Sequence, residues 1–279
     1  HCLICNRVHD NENSLVLSGG NMDKRLSGIK AVFLDLDGTI YLGGNLIPGA
    51  LEFLSRCQER GIRRYFLSNN SSRSVDQYVA KLNAMSIPCD PEDVLLSTHD
   101  LLSWLNENNV TRTWTIGTAG MCQMMEDVGI STRDESPQFV VLGYDTEIDY
   151  NKISTASIHM HKGVPLVASH PDMVCPSPDG GLPDVGAYLA MLKVTTGHDP
   201  VHITGKPNPG MIMHKIDDLG LLPSECAMVG DRLYTDMEMA IQADCVSVLV
   251  LSGEATRSDL SESGKTVTVV VESVDELLR

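Results

Sequence analysis

The strongest constraint on the fold is a regular alternation of strand-like and helix-like segments that begins at Gly28. Ile29 to Leu34 is a continuous apolar run, which is typical of a strand buried on both faces of a parallel sheet. Pro48-Gly49 predicts the start of a helix that runs to about Arg60, where Gly61 ends it. The next predicted elements are a strand at 62–67, a helix at 73–85 and a strand at 94–97. This β-α-β-α-β order predicts a doubly wound parallel sheet with right-handed crossovers.

The same alternation returns in the last third of the chain. Helices are predicted there at 186–196, 209–219, 235–243 and 274–278, and strands at 201–204, 227–230, 246–251 and 267–271. Another α/β stretch lies between the two blocks, with strands at 113–116, 139–142 and 166–168 and helices at 121–128 and 152–160. Its exit, Cys175 to Asp184, is rich in Pro, Gly and Asp, as is typical of a hinge. We therefore predict a Rossmann-like α/β core at 28–97 and 185–279, an inserted α/β domain at 98–184 and an N-terminal extension at 1–27.

Charge and composition narrow the class of partner. The 279 residues carry a formal net charge of −16, and an acidic surface repels a phosphodiester backbone, so nucleic acid is not an expected partner. An anionic substrate would need a metal ion or a few well-placed Lys and Arg side chains. No apolar run reaches membrane-spanning length, and no secretory signal is visible. The eight cysteines are scattered, several of them in predicted helices and strands, which favours free thiols in a reducing cytoplasm.

The N-terminal segment carries a separate cluster of metal-binding residue types. Cys2, Cys5 and His9 follow a C-x-x-C-x-x-x-H spacing, which suits zinc, although no fourth ligand is evident nearby besides His1. The stretch from 10 to 27 is polar, rich in Asn and Gly, and without a steady period. Two interpretations stay open: a zinc site that adds an interaction module, and a loosely ordered extension.

Two aspartates follow the first predicted strand. Ligands of doubly wound sheets bind beyond the carboxyl ends of the strands, and Asp35 and Asp37 stand at such an end. Two carboxylates this close are costly to hold together without a cation. Gly38 turns the chain, so that Asp37 can present its backbone carbonyl while its side chain swings toward the ligand. The alternative is a purely structural Asp-Gly turn.

Three further strand ends carry polar residues. The range Ser68–Asn70 ends the second strand, where such residues also serve as helix caps and turn formers. Lys206 follows a strand and is stiffened by the prolines after it, although a lone Lys is often a solvated surface residue. Asp231 ends a third strand, where a carboxylate needs a partner. Asp236 begins a helix, where an acid also favours the helix dipole.

Together these residues predict a site for phosphoryl transfer. Asp35, the Asp37 carbonyl and Asp231 are hard oxygen ligands of the kind that Mg²⁺ prefers. Lys206 and the Ser68 hydroxyl would hold the other phosphoryl oxygens, over which charge spreads in the transition state. Asp35 would attack phosphorus as the nucleophile. Asp37 would protonate the leaving alkoxide and then deprotonate the water that hydrolyses the aspartyl phosphate.

The four strand-end segments closely resemble, in order, the motifs of the haloacid dehalogenase-like (HAD) hydrolase superfamily, in particular its NagD-like subgroup of sugar phosphatases and nucleotidases with a large α/β cap. They read DLDGTIY (35–41), LSNNSS (67–72), GKPNPGM (205–211) and VGDRLYTD (229–236), and the resemblance extends from about 29 to the C-terminus. The roles that it implies are Asp35 as nucleophile, Asp37 as general acid and base, Ser68 and Lys206 as phosphate ligands, Gly38, Asn69 and Asn70 as further substrate contacts, and Asp231 and Asp236 at the metal.

The resemblance also implies a role for the inserted domain, which stands where this subgroup carries the cap that closes over the core and selects the substrate. The range Ser169–Asp172 stands where relatives often show Asn-Pro-Asp, so His170 departs from the pattern. We expect His170 and Asp172 to contact substrate, with a plain turn as the alternative. The implied partners are a small phosphorylated metabolite, such as a sugar phosphate, phosphoglycolate or nucleoside monophosphate, and a second copy of the chain bound through the cap.

Other functions compete with phosphate hydrolysis. Carbon–halogen cleavage also uses an aspartate nucleophile, but it needs neither Mg²⁺ nor a second acid such as Asp37. Phosphonate cleavage would need a Schiff-base lysine in the cap, and nothing around Lys162, the candidate, recommends that role. Loss of Asp35 or Asp37 would mark a non-catalytic binding or regulatory protein on the same fold, and both are present. We therefore expect a Mg²⁺-dependent phosphatase that works through an aspartyl phosphate.

Overall fold

The computed structural model describes residues 26–175 and 179–279. The cluster of Cys2, Cys5 and His9 lies outside these residues, so both interpretations of it stay predictions. The described strands are β1 (Ala31–Asp35), β2 (Tyr41–Leu42), β3 (Asn45–Leu46), β4 (Arg63–Ser68), β5 (Val94–Leu96), β6 (Thr113–Ile116), β7 (Phe139–Leu142), β8 (Leu166–Ala168), β9 (Val174–Cys175), β10 (Leu182–Pro183), β11 (His202–Ile203), β12 (Cys226–Gly230), β13 (Val246–Val250) and β14 (Val269–Val271). The described α-helices are α1 (Ala50–Glu59), α2 (Val75–Ala84), α3 (Ser97–Glu107), α4 (Ala119–Asp127), α5 (Tyr150–His161), α6 (Val185–Thr196), α7 (Gly210–Leu219), α8 (Glu238–Gln242) and α9 (Arg257–Ser263).

Six parallel strands form the core sheet in the order β14-β13-β12-β1-β4-β5. The chain first builds outward from β1 through β4 to β5, and later returns on the other side of β1 through β12 to β14. Strand order therefore reverses beside β1, as in a doubly wound sheet. The predicted fold class is confirmed.

Alternate side chains of β1 enter the two layers of the core. Val32 and Leu34 pack in the layer that contains α1 and α2, whereas Ala31 and Phe33 pack in the layer that contains α7 and α8. All four are at most 4% exposed. Burial on both faces is the reason why this strand is a continuous apolar run. It also fixes the position of Asp35 at the end of the strand.

The inserted domain has its own parallel sheet, in the order β11-β8-β7-β6. Helices α3 and α4 cover one face of this sheet, and α5 and α6 cover the other. The strands predicted at 113–116, 139–142 and 166–168 have those bounds. Two packed layers give the insert a hydrophobic core of its own.

The pairing of β11 differs from the prediction, which assigned 185–279 to the core. His202 and Ile203 pair with β8 of the inserted sheet, and α6 packs on that sheet through Val185 and Leu192. The turn-rich segment before Asp184 therefore leads the chain back to the inserted sheet, on which the apolar face of α6 is buried. We propose that the inserted unit extends through Ile203.

The structure also contains elements that the sequence did not predict. Strands β2 and β3 form a short antiparallel hairpin after the first motif, and α9 lies between β13 and β14. A π-helical turn, Leu233–Met237, precedes α8 where a continuous helix at 235–243 was predicted. Across 26–175 and 179–279, no helix combines the length and the apolar character that a membrane span requires.

Candidate active site

The candidate site lies at the carboxyl edge of the core sheet. Asp35 is the last residue of β1, Ser68 the last of β4, and Asp231 follows β12. These three strands are neighbours, because β1 pairs with both β4 and β12. Lys206 comes from the segment in which the chain returns from the insert to α7. Parallel strands align their carboxyl ends at one edge, so residues far apart in sequence meet there.

Lys206 is the central cation of the site. Its ammonium group donates hydrogen bonds to Asp35 Oδ1 and, at 2.7 Å, to Asp236 Oδ1. The residue is only 4% exposed. Burial by itself lowers the pKa of Lys206, but the attraction of Asp236 and Asp35 outweighs it, so the pKa is raised. Lys206 is therefore charged, and its charge lies beside Asp35.

Three carboxylates crowd together around this cation. Single oxygens of Asp35, Asp231 and Asp236 lie within 4.8 Å of one another, and all three residues are buried. Burial raises the pKa of Asp231 above its ordinary value, and repulsion from Asp35 and Asp236 raises it further. Arg232 opposes this rise, yet the pKa of Asp231 stays raised, so burial and repulsion among the acids outweigh the attraction of the nearby cation.

Asp231 is held against the backbone of two loops. Its Oδ2 accepts a 2.7 Å hydrogen bond from the Glu254 backbone N–H. A Cβ at Gly38, whose φ is +88°, would lie 2.3 Å from Asp231 Oδ2, and one at Gly253 would lie 2.0 Å from it. Only glycine allows the backbone so close to this carboxylate. The two loops therefore fix the direction in which Asp231 points.

These residues fit a divalent cation. Within the described ranges, Asp231 Oδ1 is buried and has no hydrogen-bond partner, and a buried carboxylate oxygen is rarely left unpartnered in a folded protein. It belongs to a group of three acids whose mutual repulsion a cation would relieve. Carboxylate oxygens are the ligands that Mg²⁺ prefers. Three of the four residues predicted at the metal, Asp35, Asp231 and Asp236, therefore have a type and arrangement that suit this cation, and the fourth is Asp37.

Asp37 stands apart from the three buried acids. It is exposed, and its side chain is not a member of the acid group found among the described residues. Partial burial and the repulsion of Asp35 raise the pKa of Asp37, while Lys81 and Arg232 oppose the rise. A raised pKa keeps a carboxyl group protonated to higher pH, which is what a general acid needs.

Ser68 and Asn70, at the end of β4, have different hydrogen-bond partners. Ser68 Oγ lies 2.8 Å from Tyr78 Oη and accepts a hydrogen bond from the Asn70 backbone N–H at 3.2 Å. Asn70 Oδ1 accepts from both the backbone N–H and the hydroxyl of Ser72, at 2.9 and 2.6 Å. The Asn70 carbonyl oxygen therefore closes a local turn. The sequence predicted Asn70 as a substrate contact, and that role stays a prediction.

Asn69 holds the backbone of Lys206. Asn69 Oδ1 accepts from the Lys206 N–H at 2.8 Å, and Asn69 Nδ2 donates to the Lys206 carbonyl at 3.0 Å. The same Nδ2 lies 3.3 and 3.4 Å from the two carboxylate oxygens of Asp172 in the inserted domain. Both polar atoms of Asn69 thus have partners inside the protein. Asn69 links the inserted domain to the residue that carries the central cation.

The structure places His170 in the interior of the protein rather than on an open surface. His170 is fully buried, with Nδ1 2.9 Å from Ser169 Oγ and Nε2 2.9 Å from Asp184 Oδ1. In this conformation His170 offers no free polar atom to a substrate, in contrast to the contact that the sequence suggested. Asp172 is half-buried and bonded to Asn69, so it lies on the side of the insert that faces the core.

Sequence reasoning missed several residues that support the site from outside it. Tyr78, Glu254 and Asp184 act through contacts with residues 10 to 23 positions away in the chain. No local pattern distinguishes such residues from ordinary surface or core positions. For Tyr78 a weak signal existed, because it lies on the first helix after Ser68 and therefore close to the same strand end.

Comparison with known proteins agrees with this geometry. The family model described as haloacid dehalogenase-like hydrolase matches residues 32–131, and a second model, described as HAD-hydrolase-like, matches 203–277. An acid sugar phosphatase from Staphylococcus aureus (strain MRSA252) is 31% identical over 251 residues, which cover 89% of this chain and 96% of that protein.

Solved structures have the same architecture. A 4-nitrophenylphosphatase from Thermotoga maritima superposes with a TM-score of 0.87 at 37% identity, covering 91% of this chain and 98% of that one. A structure assigned as a NagD protein superposes with a TM-score of 0.82 at 37% identity, covering 87% and 95%. The two family models cover the four core motifs, and these relatives, which match 87–91% of this chain, extend through most of the insert as well. The chain therefore belongs to the haloacid dehalogenase-like hydrolases, in their NagD-like subgroup.

Proposed function

We propose that this protein is a Mg²⁺-dependent phosphatase that hydrolyses small phosphate monoesters through an aspartyl-phosphate intermediate on Asp35. The observation that carries the proposal is the arrangement at the carboxyl edge of the core sheet. There, Asp35 touches the buried ammonium group of Lys206 and shares a pocket of acids with Asp231, whose Oδ1 has no partner among the described residues. This arrangement supplies a nucleophile, a fixed cation and a metal-binding carboxylate at one point.

Two displacements at phosphorus make up the proposed reaction. In the first, an oxygen of Asp35 forms a bond to phosphorus while the bond to the ester oxygen breaks, and Asp37 gives its proton to the departing alkoxide. In the second, water attacks phosphorus, Asp37 takes a proton from that water, and the bond between phosphorus and Asp35 breaks. Inorganic phosphate leaves, and both aspartates return to their starting states.

The raised pKa of Asp37 supports its role as the proton donor and acceptor. Asp37 is exposed, whereas Asp35 is buried beside Lys206. The two carboxyl groups are two residues apart but have different surroundings, and such a difference is what separates an acid from a nucleophile.

Lys206 and Ser68 would hold the oxygens of the transferred phosphoryl group. Lys206 brings a buried positive charge to the side of Asp35, and Ser68 stands at the neighbouring strand end with Tyr78 as its partner. Asp35, Asp231 and Asp236 would hold Mg²⁺. When bound, this cation neutralises charge on the phosphoryl oxygens and on the acids. Fixed charges of this kind stabilise the transition state without reorganisation.

For the substrate we propose a small phosphate monoester of the sugar-phosphate type, with phosphoglycolate and nucleoside monophosphates as the other classes to be compared. The relative from S. aureus is named an acid sugar phosphatase, and the relative from T. maritima a 4-nitrophenylphosphatase. The inserted domain reaches the core site through Asp172 and Asn69, so it is placed to act on what enters.

A panel of phosphate monoesters tests the proposal. Hydrolysis should require Mg²⁺ and should fall by about 10³-fold or more in Asp35→Asn, because an amide cannot form the acyl phosphate. 4-Nitrophenyl phosphate serves as the reference compound, and Asp76→Asn on the exposed start of α2 serves as the control variant. If wild type and Asp35→Asn are equally inert on every monoester, the phosphatase proposal fails, and a non-catalytic binding protein on the same fold takes its place as the hypothesis to test.

The remaining expectations about partners and location stay predictions. These are the cytoplasmic location, the lack of a nucleic-acid partner and the pairing of two copies through the cap. Light scattering of the purified protein would measure the last of these directly. The exposed apolar side chains Met191 and Val194 of α6 lie on the inserted domain and are the positions to substitute if a dimer is found.

A further inference from the structure

A continuous chain of hydrogen bonds joins the inserted domain to the loop after β4. Tyr144 N–H donates to Ser71 Oγ at 2.8 Å, and Ser71 Oγ lies 3.0 Å from Ser169 Oγ. Ser169 Oγ lies 2.9 Å from His170 Nδ1, and His170 Nε2 lies 2.9 Å from Asp184 Oδ1. Every one of these residues is buried. The chain of bonds therefore runs, without meeting solvent, from the loop after β4 to the segment between β8 and α6 (residues 169–175 and 179–184), which we call the exit loop.

The chemistry of the partners sets the direction of each bond. A carboxylate only accepts, so Asp184 Oδ1 accepts a hydrogen bond from His170 Nε2–H, and in this tautomer Nδ1 accepts from the Ser169 hydroxyl. Ser169 in turn accepts from the Ser71 hydroxyl, and Ser71 accepts from the Tyr144 N–H. Each hydroxyl donates once and accepts once. The network thus assigns one tautomer to His170 and leaves no donor unmatched.

Asp184 also anchors the start of α6. Its Oδ1 accepts from the Val185 N–H at 2.7 Å, as the N-cap of that helix. His170, Asp172 and Asp184 have the residue types of a metal site and lie within 4.8 Å of one another. However, His170 and Asp184 already hold each other, and Asp172 holds Asn69. The group is therefore an internal network rather than a vacant set of ligands.

This network lies next to the residues that position Lys206. Ser71 is two residues after Asn69, and Asp172 is two residues after His170. Asn69 bonds to Asp172 on one side and to both backbone polar groups of Lys206 on the other. A shift of the exit loop relative to the core loop would therefore move Asn69. It would also loosen the backbone that carries the Lys206 ammonium group.

We propose that His170 is a positioning residue, which locks the exit loop of the inserted domain to the core loop so that Asp172 meets Asn69 and Lys206 stays in place beside Asp35. The inference rests on the proposed phosphatase function for its effect on catalysis. The chain of hydrogen bonds itself does not depend on that function. His170 acts here through Ser169 and Ser71, not through contact with substrate.

Steady-state kinetics on 4-nitrophenyl phosphate test the role. His170→Phe replaces the imidazole with a somewhat larger apolar ring and removes both hydrogen bonds, and Ser71→Ala breaks the chain at its core end. We expect each to lower kcat by about tenfold, with a smaller change in KM, and the double variant to be no slower than the worse single variant. Asp184→Asn retains an acceptor for both His170 and Val185, so it should keep kcat within about twofold of wild type. His161→Phe, at the exposed end of α5, is the control.

Hydrogen–deuterium exchange supplies a readout that does not need activity. Both chain-breaking variants should speed exchange in the segments 69–72 and 142–145 and leave the core strands β12 and β13 unchanged. If wild type hydrolyses the substrate but folded Ser71→Ala and His170→Phe keep full kcat, the positioning role is wrong. If wild type is inert while exchange changes as expected, the phosphatase proposal fails and the lock stands.

Discussion

The carboxyl edge of the core sheet and the exit loop of the inserted domain contribute residues to the same site in different ways. At the core edge, Asp35 ends β1, Ser68 ends β4 and Asp231 directly follows β12. In the exit loop, Asp172 reaches the site only through Asn69, and His170 only through Ser169 and Ser71. The first region is built by the sheet, and the second by contacts between domains.

This difference predicts which residues tolerate substitution. Around the core edge, Lys206 and Asp236 are buried and charged, so removing one partner leaves the other without compensation. The exit loop is joined by hydrogen bonds between mostly neutral groups, each of which contributes about 1 kcal/mol. Substitutions at the core edge should therefore have much larger effects than substitutions in the exit loop.

The largest effect is expected for Lys206→Met. The variant removes the cation between Asp35 and Asp236, so we expect kcat/KM to fall by about 10³-fold, the cost of losing a preorganised charge at a transition state. Thermal unfolding should also begin at a lower temperature. Lys193→Met, which breaks the exposed pair of Lys193 with Asp199, is the matched control and should change little. A Lys206→Met enzyme with more than a tenth of wild-type activity would contradict the expectation that substitutions at the core edge have much larger effects than those in the exit loop.

The second prediction concerns pH and magnesium. Burial and the repulsion of Asp35 and Asp236 raise the pKa of Asp231 from 3.8 to about 7. A raised pKa means that the folded protein binds the proton more tightly than the unfolded chain. The free energy of unfolding of the metal-free protein should therefore fall as pH rises from about 4 to about 7.

Magnesium should reverse this loss, because it binds the ionised acids of the folded protein. We expect a rise in Tm of about 5 °C at about pH 7.5 and a smaller rise at about pH 5, measured by calorimetry. Asp231→Asn is the control, since it removes both the repulsion and a ligand. Equal magnesium shifts at both pH values, or an unchanged shift in Asp231→Asn, would argue against a cation at this acid group.

The smallest effect is expected for Asp172→Ala. Asp172 contacts Asn69 at 3.3 and 3.4 Å in a half-buried position, so the contact is weak and partly screened. We expect kcat/KM to fall by about tenfold for 4-nitrophenyl phosphate, a loss like that of His170→Phe, because both variants release Asn69 from the inserted domain. A loss as large as that of Lys206→Met would place Asp172 in direct contact with the reacting group and would overturn the comparison.

Much of the core could be predicted from the sequence because its signals are local. An apolar run such as 29–34 identifies a buried strand, and the polar residue that ends it identifies the edge of the sheet. The boundary of the insert was harder to predict from the sequence. The assignment of α6 and β11 depends on which of two parallel sheets pairs with His202, and both sheets have the same pattern.

The sequence by itself determined the doubly wound fold, the four strand ends and the acids and lysine that they carry, since strand position and residue type are written in consecutive residues. Only the tertiary structure decided that Asn69 holds Lys206, that Asp231 Oδ1 has no partner in the described part of the chain, and that His170 is locked between Ser169 and Asp184. The physical reason is that hydrogen-bond partners and burial depend on how distant segments pack. Spacing along the chain does not carry that information.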